Sequence, residues 1–339
     1  MATVQLSDII DVVVFDDLPA LNDPTLTLWV ESGIVATGPF FDQKAQADGR
    51  TAEIIYWKDL DISGEPNYSS DAASNATPQK ADQAAMTTRK AHLNNGWSAM
   101  DLARELQSGT DALQHIRNRT DNYWVQMWQK RVISATKGVF NNNVANDSSD
   151  MVNDIAVESI AGQSAATKFS RSAFITTAMT LGDHFNDLSV ILVHSVVYQT
   201  MLNQDDIDFI RDADGRLTIP TYLGHRIVVD DSSPVVAGST DGFKYTSVIF
   251  GQSAFGWGVG SPTVPVEVYR DPITGDGGGE EQLWLRKTWL LHPLGHDNDN
   301  GTATANNGQQ NNADLTAANN WTRLYDRKNI PMAFLVTNA

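Results

Sequence analysis

Apolar residues change their spacing several times along the chain, and each change marks a different kind of element. From residue 1 to about 45, short apolar groups alternate with breakers: Asp16-Asp17-Leu18-Pro19, Asn22-Asp23-Pro24, Ser32-Gly33 and Gly38-Pro39. No helical period survives them, so the stretch predicts an extended arm that gains order by lying on another surface. Thr51-Ala52-Glu53-Ile54-Ile55-Tyr56-Trp57 is rich in β-formers and predicts a strand. A polar stretch from Ser63 to Gln79 follows, and Ala84 to His92 returns as a second strand. Two strands around so long a tip describe a protruding hairpin. An isolated two-stranded ribbon is marginal in water, so this one should need a partner surface.

Helical spacing takes over next. Ser98 is a cap candidate for a helix from Ala99 to Ser108, with Asp101 in its first turn and Gly109 ending it. A longer helix is expected from Thr110 to Lys137, stopped by Gly138. Leu113, Ile116, Trp124, Met127, Trp128 and Ile133 form its apolar face. At 1.5 Å per residue it would span roughly 40 Å, long enough to act as a spine. Beyond residue 150 the pattern is mixed. Ser170 should cap a helix from Arg171 to Leu181, and Ser189 to His194 reads as a buried strand before a short helix from Ser195 to Leu202. Further strands are expected at Leu217 to Pro220, Arg226 to Val229 and Tyr245 to Phe250. Two long ones, Val264 to Arg270 and Gln282 to Leu291, flank a glycine tip at Gly275 to Glu280. Residues 296–320 are low in complexity, and Ala333 to Val336 is a last strand candidate.

Composition narrows the function. Nine Trp, twelve Phe and eight Tyr in 339 residues belong to a folded chain, and no cysteine is present for disulfides or metal. A net charge of -17 disfavours a nucleic-acid binder, which needs clustered cations to neutralise phosphates. Met1 to Gln5 lacks the basic start of a signal peptide, and no apolar run is long enough for a membrane helix. The expectation is a protein made in a cytoplasm.

Local motifs for chemistry are scarce. The Gly275 to Glu280 tip lacks the Gly-Lys-Ser/Thr of a phosphate loop, and Gly256-Trp257-Gly258-Val259-Gly260 lacks the third glycine of a dinucleotide fingerprint. Asp205, Asp206, Asp208, Asp212 and Asp214 invite a calcium reading, but an EF-hand frame with Gly215 at position six puts Ile210 and Thr221 where carboxylates belong. His194 and His292 each end an apolar strand, where a hydrogen-bonded structural histidine is the ordinary occupant. No catalytic, cofactor-binding or metal-ligating residue emerges.

The order of parts resembles the major capsid proteins of tailed bacteriophages, which share the Hong Kong 97 capsid fold. Four stretches carry the likeness: Ile191 to Tyr198; Ile219 to Asp231 with Pro234; Tyr245 to Gly251 with Ala254; and Leu285 to Pro293. The resemblance implies an α+β chain. Residues 1–48 would be an N-terminal arm, 49–92 an extended loop, and 93–145 with 263–339 a peripheral domain around a long spine helix. An axial domain would be inserted at 146–262. It also implies hexamers and pentamers closing into an icosahedral head in the virion around double-stranded DNA, bound without sequence specificity. Expected partners are the chain itself, a separate scaffolding protein, a portal and a decoration protein. No cofactor, enzymatic activity or membrane is expected. Candidate subunit contacts are Trp57, Lys58 and Lys80 on the loop, with Gly275, Gly277, Gly278, Gly279 and Glu280 at the glycine tip. Some relatives cross-link through Lys and Asn, but no motif selects a pair from Lys58, Lys80 or Lys90. The 296–320 segment departs from the pattern and is expected to be a surface insertion. The alternatives are another virion part or an α/β hydrolytic enzyme.

Overall fold

The computed structural model describes residue 29 and residues 32–60, 62–71, 75–106, 112–204, 207–211, 217–298 and 302–339. Residues 1–28 of the expected arm (1–48) and most of the acidic stretch 205–216 lie outside the described residues, and the described part of the arm is not extended throughout, since Pro39–Gln46 is helical. Described elements begin with β1 (Val35–Thr37) and α1 (Pro39–Gln46), where Pro39 takes the first helical turn, whose N–H groups have no partner anyway. β2 (Thr51–Trp57) and β3 (Gln83–Met100) form the hairpin stem, antiparallel from Thr51↔Arg89 to Trp57↔Gln83.

β3 does not stop at His92. It runs on to Met100, and the helix after it, α2, is only Asp101–Leu106. The Ser98-capped helix is therefore corrected. Residues 90–100 pair with the returning strand along a continuous register from Lys90↔Leu290 to Met100↔Glu280, with Ser98 opposite Gln282. A ladder that satisfies a run of backbone groups outweighs one capping signal. α3 (Ala112–Asn146) has 35 residues and passes through Gly138 rather than ending there.

The next elements are β4 (Val152–Asp154), α4 (Arg171–Ala178) and β5 (Leu188–Val193). They are followed by α5 (Ser195–Asn203), β6 (Asp208–Arg211), β7 (Leu217–Tyr222), β8 (His225–Val229) and β9 (Val235–Ala237). The Ser170 hydroxyl accepts from the Ala173 N–H at 3.3 Å, as its position suggested. His194 caps α5 in the same way, its Nδ1 accepting from the Val196 N–H at 3.2 Å. The chain closes with β10 (Phe243–Gly251), β11 (Phe255–Gly260), β12 (Val266–Asp271), β13 (Glu280–Pro293) and β14 (His296–Asp297). Then come α6 (Asn312–Thr316), β15 (Thr322–Arg323) and β16 (Met332–Thr337).

Two sheets organise these elements. One is built on β13, which pairs with β3 along one edge and with β11 and β12 on successive stretches of its length; β1 and β2 extend the sheet at its ends. The other runs β4-β16-β10-β5-β8-β7-β6, with β9 beside β10. Its central strands are covered on both faces, because successive side chains alternate. Val190, Leu192, Val248, Phe250 and Phe334 join α3 and the first sheet in one core. Ile191, Val193, Ile249, Ala333 and Leu335 join Phe169, Phe174, Leu181 and Met201 in the other. The spine helix thus lies between the two sheets, and Trp124 and Trp128 meet Trp289 and Trp257 edge-on at 5.5 and 4.9 Å.

The glycines of Gly256-Trp257-Gly258-Val259-Gly260 let α1 lie directly on β11. A Cβ at Gly258 would press into the Phe41 backbone and lie 3.2 Å from the Ala45 methyl; one at Gly260 would lie 2.9 Å from the Ala45 carbonyl. The run is a packing seam. The described part of the 296–320 segment, expected to be a surface insertion, packs against the spine helix. Leu315 is 3% exposed, and it docks on α3 with Trp321. Asn141 and Asn142 donate to the carbonyls of Thr316 and Ala318 at 2.8 and 3.1 Å, and the buried Asn298 and Gln310 amides pair at 2.7 and 2.9 Å. Polar composition here builds a hydrogen-bonded cap on the spine.

Candidate assembly surfaces

Among the described residues no group of three or more His, Asp or Glu side chains is placed to hold a metal ion. What the molecule presents is uncovered apolar surface on its projecting parts. On β2 alternation turns Ala52 and Ile54 inward and leaves Ile55 61% and Trp57 66% exposed. Beyond the stem, Leu60, Ile62 and Tyr68 stand in solvent, Ile62 at 92%. A second patch lies on β12 and its turn: Val264, Val266, Val268 and Ile273 are all exposed. Contiguous apolar surface on a projecting ribbon costs free energy unless another surface covers it.

The sequence-derived contact residues fall into two groups. Trp57 ends β2; Lys58 follows it, its N–H donating to the Asp82 carbonyl at 2.9 Å to close the stem. Lys80 pairs with Asp82 at 3.1 Å in full solvent, an ion pair that stabilises little by itself. At the other end of the chain the turn between β12 and β13 is wound by Gly275, Asp276, Gly277 and Gly279, all at positive φ. Gly275, Gly277 and Gly278 are exposed, whereas Gly279 and Glu280 are buried in their own chain. The Glu280 carboxylate accepts from Gln282 Nε2 at 3.0 Å. The structure does not bring the hairpin residues and the glycine turn of one chain together.

Sequence reasoning missed three features. Lys90 is buried, its ammonium donating to the Ala47 carbonyl, and desolvation lowers its pKa against the opposing pull of Asp48. That removes it from the surface lysines of the loop. His292 is the second: a hydrogen-bonded histidine was expected, yet among the described residues neither ring nitrogen has a partner, and burial pushes its pKa down to about 3. The third is a charged joint under the spine. Arg323 reaches both Asp150 carboxylate oxygens at 2.7 and 2.8 Å, and Asn143 of α3 donates to the same carboxylate at 2.7 Å. Arg327 spans Asp150 and Thr180, linking the helix end to the second sheet's flank. Its partners lie up to 177 positions away, so no local pattern announces it.

If the uncovered ribbon serves contact rather than folding, Trp57→Ala and Ile62→Ser leave the urea midpoint of the monomer unchanged while lowering assembly yield at least tenfold. Equal loss of both would mean the residues support the subunit itself.

No protein-family model matches the chain. It is 33% identical over 338 residues to the major capsid protein of Bacillus phage SPP1, with 97% of each chain covered. Its fold is that of the capsid of Ralstonia phage GP4, with a TM-score of 0.60 at 10% identity, covering 97% of this chain and 98% of the other. The capsid of cyanophage Pam1 superposes over 96% and 95% of the two chains, with a TM-score of 0.58 and 10% identity. Likeness at 33% identity over 97% of both chains, on an α+β architecture of the Hong Kong 97 type, places the chain among the major capsid proteins of tailed phages, structural components of the phage head.

Proposed function

We propose that this chain forms the hexamers and pentamers of an icosahedral head around double-stranded DNA, and does so without catalysing a reaction. The observation that carries the reading is the hairpin. Its stem is an antiparallel ribbon whose outer residues Ile55, Trp57, Leu60 and Ile62 are largely exposed among the described residues. Such a ribbon is marginal alone and becomes stable when laid on a neighbouring subunit. The division into arm (1–48), extended loop (49–92), peripheral domain (93–145 and 263–339) and axial domain (146–262) is part of the same proposal. The β13-based sheet and spine helix would form the peripheral part and the β10-centred sheet the axial part, which moves β11 (255–260) to the peripheral side of that division and β16 (332–337) to the axial side. The turn at Gly275 to Gly279 would meet its counterparts where subunits converge. A net charge of -17 suits a shell whose inner wall must not hold DNA tightly. Assembly would draw on a separate scaffolding protein, with a portal at one vertex and a decoration protein as a further partner; synthesis would be in the bacterial cytoplasm.

Sedimentation of the purified chain, alone and with its scaffolding partner, followed by electron microscopy of the fast fraction, tests the reading. Closed shells, or rings of five and six, are expected. A species that stays monomeric or dimeric at high concentration with scaffold present would sink it.

A further inference from the structure

β13 has two edges. β3 covers one, while β11 and β12 share the other; β1 in turn covers β11 from Val35↔Phe255 to Thr37↔Trp257. Beside the outer edge of β12 the described residues place no strand. The phase of the ladder shows which backbone groups are left over. Arg286 N–H donates to the Pro265 carbonyl at 2.8 Å, so residues 265, 267, 269 and 271 turn their backbone groups toward β13, in the alternation of an antiparallel pair. Val266, Val268 and Arg270 turn theirs outward, where no described residue meets them. Exposed edges are ordinarily blunted by a proline, a lysine or a bulge. β12 has none of these, and Val266-Glu267-Val268-Tyr269-Arg270-Asp271 pairs with β13 in unbroken register. Val266 and Val268 share the sheet face of Leu285, which packs on the spine core, yet they are 55% and 51% exposed. An open ladder with an apolar row beside it is a template for another strand.

The residues of β12 select that strand. An edge strand that meets its own copy runs antiparallel about a two-fold axis normal to the sheet, and each face stays on its own side. Residues then oppose each other only within one face, so the registers that overlap at least half of the strand centre on Glu267, Val268, Tyr269 or Arg270. An axis at Glu267 sets two carboxylates opposite each other. One at Tyr269 sets Glu267 against Asp271, and one at Arg270 sets two guanidinium groups together. Like charges directly opposed are destabilising. The axis at Val268 avoids them all: Val268 faces Val268, the stem of Arg270 lies along Val266, and the Tyr269 hydroxyl faces Glu267. Arg270 and Glu267 have partners in their own chain, Asp101 and Arg286, so neither needs a counter-ion across the axis. This register also pairs every outward backbone group, as 266↔270, 268↔268 and 270↔266.

We propose that β12 pairs antiparallel with the β12 of a second copy of this chain, with Val268 on the axis, and that this two-fold seam joins one ring of subunits to the next. The inference rests on the reading that the chain assembles into a shell of rings. Contacts around a ring repeat head-to-tail and cannot present the same patch on both sides, so a two-fold seam belongs between rings.

The chain has no cysteine, so a single introduced thiol reports cleanly. Cα atoms of a hydrogen-bonded pair lie about 5.5 Å apart, within disulfide reach. In shells assembled from Val268→Cys chains under mild oxidant, a disulfide between copies should form at least about tenfold faster than in shells of Ile273→Cys, whose side chain is more exposed but off the axis. Hydrogen exchange of the unaltered chain, followed in peptides spanning 265–271, gives a second reading. The outward amides of residues 266, 268 and 270 should exchange freely in unassembled subunits and slow by on the order of a hundredfold in shells. Equal rates for the two thiols would overturn the pairing. So would slow exchange already present in the unassembled subunit, which would mean that β12 is covered by its own chain. Exchange that slows in shells without the disulfide at residue 268 would put a different segment or partner on the edge and would overturn it too. Failure of the unaltered chain to form shells would remove the assembly reading itself, and this contact with it.

Discussion

Replacing Gly138 by alanine should destabilise the folded chain by about 3 kcal/mol, as overpacking a rigid contact does. The sign is unusual. Gly138 sits inside a 35-residue helix, where glycine is about 1 kcal/mol worse than alanine, so the ordinary expectation is a gain. Here a Cβ would run into the Leu315 carbonyl and the Trp321 indole, with Trp321 Cδ1 at 2.8 Å. The carbonyl is backbone and cannot swing aside. It already accepts from Trp321 Nε1 at 2.8 Å, so moving it breaks that bond as well. Trp321, 2% exposed, anchors the segment to which Asn141 and Asn142 donate. Lifting it leaves buried amides without partners, which adds about 1–3 kcal/mol for each. Urea unfolding of the alanine variant beside the parent checks this. A midpoint equal to or above the parent's would show that the cap slides without cost.

The second large effect is acid destabilisation from two buried histidines. Burial holds His292 at about 3, with the neighbouring His296 as a further cause, and His296 at about 4. His296 donates from Nδ1 to the Leu294 carbonyl at 3.0 Å, and among the described residues Nε2 has no partner. In the unfolded chain both imidazoles titrate near 6.5. Their folded values are lower, so the unfolded chain takes up more protons as pH falls. The stability they confer is therefore complete above about pH 6.5 and is lost progressively as pH falls toward 4 and then 3. Between pH 6.5 and 4.5 the two rings together should remove roughly 4 kcal/mol, from about 1.4 kcal/mol per ring per pH unit.

Carboxylates held low by partners, such as Glu158 against Lys244 and Asp183 against Lys328, act in the same direction but only below about pH 4.5. Asp147, raised by burial, has the opposite sign. The loss above pH 4.5 therefore reports the imidazoles. Denaturation midpoints of the parent, His292→Gln and the His292→Gln, His296→Gln double variant across that range should show the slope falling by about half and then nearly vanishing. An undiminished slope in the double variant would assign the acid sensitivity elsewhere.

Both effects involve residues whose sequence neighbourhood pointed the other way. Gly138 follows Lys137 at the end of a long apolar period, where glycine ordinarily stops a helix. It continues because residues 312–321 supply a surface into which only a glycine fits. His292 ends an apolar strand, where a hydrogen-bonded ring is usual, yet the groups that could have satisfied it are set by the packing of distant strands. Ser98 carried a sound capping signal and was absorbed into β3, since the ladder with β13 crosses almost two hundred residues of sequence.

The alternation of β-formers in 51–57, the breakers around the hairpin tip, the apolar face of the spine and the buried strands at Val190, Val248 and Phe334 were legible from sequence. Each is a local consequence of side-chain period and backbone freedom, and each appears in the structure. The acidic balance and the dearth of catalytic motifs pointed in the same way to a structural role. Tertiary structure alone decided which apolar residues stay uncovered, that Glu280 and Lys90 turn inward, and that the Asn-rich segment caps the spine. The physical reason is that burial and electrostatic surroundings depend on residues brought together from far along the chain, about which the local sequence carries no information.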